Sequence, residues 1–450
     1  MRVKYEQKFH PIGQGLFYSS SLYLNGNISA NVIFDCGSED AKLIKKEIDK
    51  LGYYKIDVLI ISHLHFDHIS GLNYLLDNKK AEIKTIVLPY LFPEERILIQ
   101  SINYNKADWY NEFLSNPYSY LNEKENVGRV IIINGSNDEN NYSMPPLNDN
   151  LINDNHNIRI QLENVDDETK KSIGIKENLQ FSEKLSLMKD KGYILISNMY
   201  LSFFNYKIEN NKKVNDFYNE IKRLKIIDTK SALNQLKGDI KREQFKKSYE
   251  IIRKDINITS LTAYQGFILP FNNHKHSLSI RGYSSFQYDF LNNLFCCDCD
   301  GFIDGRFHGH FHGRLKGYKY KFYFDCDFHG HFDCFCDRIN HCNIQIGTLL
   351  LGDIKLDYKS KKRKDMFIHF KKLLPFVKLV QLSHHGAENG WNENLIKEIP
   401  RNTLFIASHR TINKYHHPHK KVIMELAENN RKFISVTEKN EYYNEIEFDN

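Results

Sequence analysis

The sequence predicts an α/β (α+β) fold in which chemically active side chains collect at the ends of buried strands. Three observations lead to that expectation. Residues 56–61 are apolar apart from Asp57 and run directly into Ser62-His63-Leu64-His65-Phe66-Asp67-His68. Residues 346–351 form a second, mostly apolar run that ends in Gly352-Asp353, and residues 376–382 form a third that ends in Ser383-His384-His385-Gly386. Between the N-terminal strands, residues 40–48 space Leu43, Ile44 and Ile48 at helical intervals, so strands and helices alternate.

The first cluster carries the strongest chemical signal. Alternate residues of an extended chain share a face, so His63 and His65 are expected to point the same way, with Asp67 and His68 on the following turn reaching a second point. Four nitrogen and oxygen donors within six residues exceed what one tetrahedral ion can use at this spacing, which points to two adjacent cations. A histidine-rich surface loop is the plain alternative; the buried strand before the cluster and Gly71 after it speak against that. Taken singly, a strand ending in Gly-Asp is usually a turn. Three such endings in one chain can converge on one site.

The order of these elements resembles the metallo-β-lactamase fold, and within it the branch similar to the soluble domain of the ComEC/Rec2 DNA-uptake proteins. Ile12-Gly13-Gln14-Gly15-Leu16-Phe17 resembles that branch's Gly-Gln-Gly opening, and Phe34-Asp35-Cys36-Gly37-Ser38 resembles its strand ending in Asp-x-Gly. Asn413-x-Tyr415-x-His417-Pro418 is similar to its late Asn…Tyr…His-Pro element. The resemblance covers residues 8–80 and 345–440, and implies a four-layer αββα sandwich with two insertions. It implies that His63 and His65 hold one divalent cation, that Asp67 and His68 hold a second, and that Asp353 bridges the two. One of His384 and His385 would complete the second site while the other faces substrate. Asp67, His384 and His417 would carry proton transfers, His417 and Asn257 would touch substrate, and Asp35 would orient a ligand histidine. Many family members place a further histidine before the Gly-Asp element. Here Asn257 in Asn257-Ile258-Thr259-Ser260-Leu261, or else His274 or His276, occupies that place. Zinc is the cation such donors suit, with manganese the alternative.

Bulk composition bounds the partners. The 450 residues include 62 basic and 56 acidic side chains, a net charge of +6 that permits an anionic substrate without demanding one. Residues 1–6 show no apolar signal region, and no run approaches the about 20 apolar residues that span a bilayer. The expectation is a soluble cytoplasmic protein with no membrane contact, its eight cysteines reduced thiols or metal ligands.

The expected organisation is a first half of the core at 1–104, a polar and helical insertion at 105–256, a core strand region at 257–286, a Cys/His-rich insertion at 287–343 and a second half of the core at 344–450. Residues 134–157 read as a polar loop, and 217–256 as two helices on the site's rim that select substrate, bind a protein partner or simply pack. Seven of the eight cysteines fall between Cys296 and Cys342, interleaved with histidines, which offers donors for an additional zinc. Their Cys-x-Cys spacing is not that of a zinc ribbon, and low-complexity expansion of a tolerated loop is the competing reading.

The function expected from the resemblance is metal-dependent hydrolysis. A hydroxide held between two cations would attack a phosphodiester of nucleic acid or a nucleotide. The alternatives are hydrolysis of a carbonyl ester (a thioester, lactone or β-lactam) and a non-catalytic sensor or partner-binding module.

Overall fold

The structure, a computed structural model, describes residues 2–103, 106–135, 158–206, 260–269, 277–282, 324–325, 344–356 and 365–449, with isolated positions at 216, 219, 220, 223, 224, 243–245 and 247. Asn257, His274, His276, nearly all of the helices expected over 217–256, and the cysteines and histidines between 296 and 342 lie outside the described residues.

In chain order the strands are β1 Arg2–Phe9, β2 Gly15–Leu24, β3 Asn27–Ser38, β4 Lys55–Ile60, β5 Glu82–Pro89, β6 Val127–Asn134, β7 Ile158–Asn164, β8 Leu185–Ile196, β9 Met199–Phe204, β10 Thr262–Leu269, β11 Ser277–Gly282, β12 Phe324–Asp325, β13 Ile344–Leu350, β14 Val377–Gln381, β15 Leu404–Ser408, β16 Lys432–Val436 and β17 Tyr442–Asp449. Their pairing defines two halves. In the first, β17, β1, β2 and β3 are antiparallel neighbours, and β3, β4, β5, β6 and β8 continue in parallel. In the second, β9, β10 and β13 are antiparallel, and β13, β14, β15 and β16 run parallel. Strand β8 belongs to both: Leu185–Lys189 pairs with β6, whereas Ile194–Ile196 pairs with β9. Between those stretches Gly192 has φ +104°, and a Cβ there would lie 1.9 Å from the Gln161 carbonyl oxygen. Only glycine lets the strand turn from one sheet into the other at that point.

Side-chain alternation shows how the halves stack. Val32, Phe34, Val58, Ile60, Val87, Ile131 and Ile133 share one core with Leu201, Phe203, Ala263, Leu350, Leu379 and Ile406 of the second half. The intervening residues Ile33, Leu59, Ile86, Leu88, Val130 and Ile132 face a different cluster. That outer cluster includes Ile44 and Ile48 of α1 (Ala41–Asp49) and Ile69 of α2 (Phe66–Ile69). It also takes Ile99 of α3 (Pro93–Ile102), Tyr110 and Phe113 of α4 (Asp108–Ser115), Leu121 of α5 (Pro117–Asn122) and Ile173 of α6 (Asp167–Glu177). On the far side Leu349, Val380, Phe405 and Ala407 pack with Met366 of α7 (Asp365–His369), Leu395 of α8 (Asn394–Glu398) and Leu426 of α9 (Lys420–Glu428). Helix, sheet, sheet and helix form four layers, because each strand has two apolar faces and both must be covered.

One expected boundary needs correcting. The segment 105–256, read as an insertion, instead supplies β6, β7, β8, β9 and three helices to the layers through Phe204. Its Asn- and Lys-rich average hides apolar runs at 130–133, 193–196 and 199–204, which are the buried strands.

A polar seam crosses the inter-sheet core. Gln7 Nε2 donates to the Tyr18 hydroxyl at 2.9 Å, the Tyr18 hydroxyl donates to Gln265 Oε1 at 3.0 Å, and Gln265 Nε2 donates to Ser20 Oγ at 2.6 Å. Such a network tolerates one register between the sheets and leaves buried donors unpaired in any other. On the opposite face of β2, buried His10 lies between Ser19 Oγ (2.8 Å from Nε2) and Glu47 Oε2 (3.2 Å from Nδ1), with its ring stacked 3.9 Å from Phe17.

Burial lowers His10 from 6.5 to about 4, while hydrogen bonds from His10 and Lys50 outweigh burial and hold Glu47 at about 2. Both values lie below those of the unfolded chain, which therefore binds more protons as the pH falls. Stability is expected to drain away from about pH 6.5 down through pH 4 as His10 titrates, and from about pH 4.5 down through pH 2 as Glu47 does. Urea unfolding of His10→Gln at stepped pH should show a flatter profile between pH 6.5 and 4, by on the order of 3 kcal/mol. A profile parallel to the parent would refute the assignment.

Candidate metal centre

The site is assembled from the C-terminal ends of β3, β4, β13, β14 and β15. Strand β4 ends at Ile60 and its last hydrogen bond to β5 runs from Ile61 N–H to the Val87 carbonyl, so His63 and His65 sit on the following loop rather than on the strand as expected. The loop departs because Ser62 is captured from two sides. Its N–H donates to Asp35 Oδ1 at 2.7 Å, and its carbonyl accepts from Leu261 N–H at 2.7 Å. The backbone stays extended through His65, so the two rings still meet, with centroids 4.8 Å apart. Asp67 and His68 follow on the single turn of α2.

Three imidazoles have their tautomers set by a partner at Nδ1. His68 Nδ1 donates to Asp35 Oδ2 at 2.8 Å. Ser62 Oγ donates to the same carboxylate at 2.6 Å, so its proton is committed and His63 Nδ1 donates to it at 2.9 Å. His385 Nδ1 donates to the Ser408 carbonyl at 2.8 Å. All three therefore direct a bare Nε2 lone pair inward. His63 Nε2 lies 3.5 Å from Asp353 Oδ2, His68 Nε2 lies 3.3 Å from Asp353 Oδ1, and His385 Nε2 lies 3.4 Å from Asp67 Oδ2. His63 Nε2, His68 Nε2 and Asp353 Oδ1 are buried with no hydrogen-bond partner. Lone pairs facing carboxylate oxygens at these distances repel unless positive charge lies between them.

The proton affinities report that same field. Burial pulls His68 down, yet Asp353, Asp67 and Asp35 overcome it and lift His68 well above the usual imidazole range. Asp67 and Asp353 are held well below the usual carboxylate range; burial opposes this, and His68 leads the groups that outweigh it. His65, by contrast, is pushed down to about 3 by burial and by His63, so its ring is neutral and able to ligate. Two donor triads result, His63–His65–Asp353 and Asp67–His68–His385, with the ligand atoms of each within 4.8 Å of one another. The chemistry of the set, inward imidazole Nε2 atoms beside ionised carboxylates, fits divalent cations, which would take the place of the proton that His68 otherwise holds.

The two C-terminal histidines are separated by backbone conformation. His384, His385 and Gly386 all lie in the left-handed region at φ 50°, 57° and 81°. That bend sends His385 inward and leaves the His384 side chain 28 % exposed, its Nε2 3.8 Å from Asp353 Oδ2. His417 stands beside both, with ring centroids 5.4 Å from His384 and 6.1 Å from His385.

A family model described as Metallo-beta-lactamase superfamily matches residues 15–140. The fold is that of the metallo-β-lactamases. Ribonuclease Z of Agathobacter rectalis is 35 % identical to it over 107 residues, which is 20 % of this chain and 34 % of that protein. The chain therefore spans about a third of the curated relative it matches. Among solved structures, the metallo-beta-lactamase fold protein YhfI from Bacillus subtilis aligns with 98 % of this chain and 100 % of its own at 8 % identity and a TM-score of 0.34. A long form RNase Z from yeast aligns with 91 % of this chain and 36 % of its own at 11 % identity and a TM-score of 0.31. Among the described residues, no helix is long and apolar enough to cross a membrane.

Several residues that build this site were not among the expected ones. Gln381 Oε1 accepts from Leu351 N–H and Gly352 N–H at 2.8 Å each, and its Nε2 donates to the Leu382 carbonyl at 2.6 Å, which sets the turn that presents Asp353. Ser260 Oγ accepts from Asp353 N–H at 2.9 Å. The Tyr110 hydroxyl donates to the Leu64 carbonyl at 2.8 Å and braces the loop between His63 and His65. Gln381 and Tyr110 have no local sequence signal, because they act on backbone groups distant along the chain; Ser260 stands in the Asn257–Leu261 segment, where the expectation had fallen on Asn257 instead. The glycines of the Gly-Gln-Gly and Asp-x-Gly motifs are explained by α2: a Cβ on Gly15 would lie 2.5 Å from the Asp67 carbonyl oxygen, and one on Gly37 2.2 Å from the His68 carbonyl carbon.

Asp35→Asn should place an amide N–H against His68 Nδ1 and force the ring's proton onto Nε2, weakening cation binding by about 10–100-fold in a zinc titration. Gly37→Ala should push α2 outward, cost about 1–3 kcal/mol in denaturant unfolding and weaken the same binding. Unchanged affinity in Asp35→Asn would remove the orienting role.

Proposed function

We propose that the protein is a metal-dependent hydrolase of phosphodiesters that acts on nucleic acid or a nucleotide. The observation that carries this reading is the pair of donor triads whose inward His63 Nε2, His68 Nε2 and Asp353 Oδ1 are buried without partners. His63 and His65 would hold one divalent cation, Asp67, His68 and His385 the other, and Asp353 would serve both, with zinc the best match and manganese the alternative. When bound, such cations make water a nucleophile near neutral pH and neutralise charge developing on phosphoryl oxygens.

The remaining chemistry belongs to the chain. Asp67, held ionised by His68 and His385, can take a proton from the attacking water. His384, partly exposed beside Asp353, is placed to give a proton from its ring to the leaving oxygen. Burial, then His385 and His384, lower His417 to about 4, so near neutral pH its uncharged ring suits a hydrogen bond to substrate better than acid catalysis. Nucleic acid as substrate is supported by the ComEC/Rec2-like motifs and by the short match to ribonuclease Z.

The test is metal content by plasma mass spectrometry, paired with cleavage of single-stranded DNA and RNA, for the parent, His65→Ala and Asp353→Ala. Two cations per chain are expected, with both variants losing metal and cleavage falling on the order of 10²–10³-fold. Hydrolysis of thioesters or nitrocefin with intact nucleic acid would move the substrate to carbonyl esters. Full metal content with no hydrolysis would leave a binding module, and absence of metal would refute the reading.

A further inference from the structure

The loop joining β15 to α9 exposes apolar surface for which the fold has no use. Ile412 is 87 % exposed and Tyr415 is 49 % exposed. The loop is nevertheless firmly built. Asn413 Nδ2 donates to the Arg410 and His417 carbonyls at 3.0 and 2.8 Å, Asn413 Oδ1 accepts from His417 N–H at 2.9 Å, and Thr411 N–H donates to Glu438 Oε2 at 3.0 Å. An exposed aromatic on a pinned loop is pre-organised for contact, since little side-chain or backbone freedom remains to be lost on binding.

Its direction is informative. The Tyr415 ring lies nearly parallel to that of His417 (5.7 Å, 23°), and His417 lies nearly parallel to His385 (6.1 Å, 25°). Three aligned rings thus run from the surface to the Asp67–His68–His385 triad. Residues 409–424 contain Arg410, Lys414, Lys420 and Lys421 and no acidic residue. Lys414 Nζ sits over the Tyr415 ring, 4.8 Å from its centre, on an exposed side chain that a stacking base would turn aside toward its own phosphate.

We propose that Tyr415, backed by His417 and flanked by Ile412, is a stacking platform for an unpaired nucleobase beside the scissile phosphodiester, with Lys414 and Arg410 meeting the adjoining backbone phosphate. This rests on the phosphodiester reading and narrows its substrate to single-stranded nucleic acid. An aromatic face accepts any base, whereas a duplex hides its base faces and must be unstacked first. The loop's own charged side chains are all basic, with Glu438 and Glu388 approaching from neighbouring elements at Thr411 and Lys421, and this favours a polyanion over an apolar protein surface as the occupant.

The test is fluorescence anisotropy with metal-free protein at fixed salt. The ligands are labelled oligothymidylate, an abasic deoxyribose-phosphate oligomer of the same length, and a duplex. Tyr415→Ala should weaken oligothymidylate binding about tenfold, Tyr415→Phe should restore it, and neither should alter binding of the abasic oligomer. The position is exposed, so the substitutions spare the core, and thermal melts of both variants check this. Equal binding of thymidylate by parent and Tyr415→Ala, an equal loss on the abasic oligomer, or a dimer of the parent that Tyr415→Ala dissociates would each overturn the platform. Hydrolysis of bis-p-nitrophenyl phosphate by the metal-loaded parent separates the two levels. Hydrolysis without base-dependent binding sinks the platform alone; base-dependent binding without hydrolysis supports the platform and sinks the enzymatic reading.

Discussion

The carboxylate of Asp35 is fully buried and carries three hydrogen bonds, from the Ser62 amide, the Ser62 hydroxyl and His68 Nδ1. A carboxylate so far from water is tolerable only when its acceptor positions are filled. Filling them lifts the chain off β4 after Ile60 and holds His68 in one tautomer. Through the Ser62 hydroxyl it also sets the tautomer of His63. The left-handed backbone of Asp35, φ 55°, is the local strain that this arrangement holds in place. One side chain thereby decides where two Nε2 lone pairs point.

The second constraint is the stacking of the sheets. His63, His65, Asp67 and His68 come from one half of the sandwich, and Asp353, His384 and His385 from the other. Neither half has a complete donor set. Residues just before β10 tie them together, with Leu261 N–H donating to the Ser62 carbonyl and Ser260 Oγ accepting from Asp353 N–H while lying 3.4 Å from His63 Nδ1. Strand β8, bent at Gly192, keeps the two sheets within one hydrogen-bonded system, and the Gln7–Tyr18–Gln265–Ser20 seam holds their relative register. A slip between the sheets would strand buried amides and pull the triads apart together, so packing and site geometry are one constraint.

Much of the core was legible in the chain. The apolar runs at 56–61, 346–351 and 376–382 are strands or lead directly out of them, and their polar endings do meet. The strands at 127–134, 185–196 and 199–204 were obscured by the polar α6 and by turn-rich neighbours that dominate the average composition of 105–256. Which of His384 and His385 turns inward was not legible, since the residues are adjacent and identical in type. Three successive left-handed residues make the distinction, and that conformation is held by contacts such as His384 N–H to the Gly352 carbonyl at 3.0 Å.

Sequence alone therefore determined the kinds of donor atoms, their order along the chain and the strands that carry them, because hydrophobic alternation and residue chemistry are local properties. Tertiary structure decided which donors share a centre, which ring nitrogen each imidazole turns inward, and how two incomplete halves become one site. Those outcomes depend on hydrogen bonds made with Asp35, Ser62, Ser260, Gln381 and the Ser408 carbonyl. Their partners are distant or unmarked in the sequence and become neighbours only when the sheets stack.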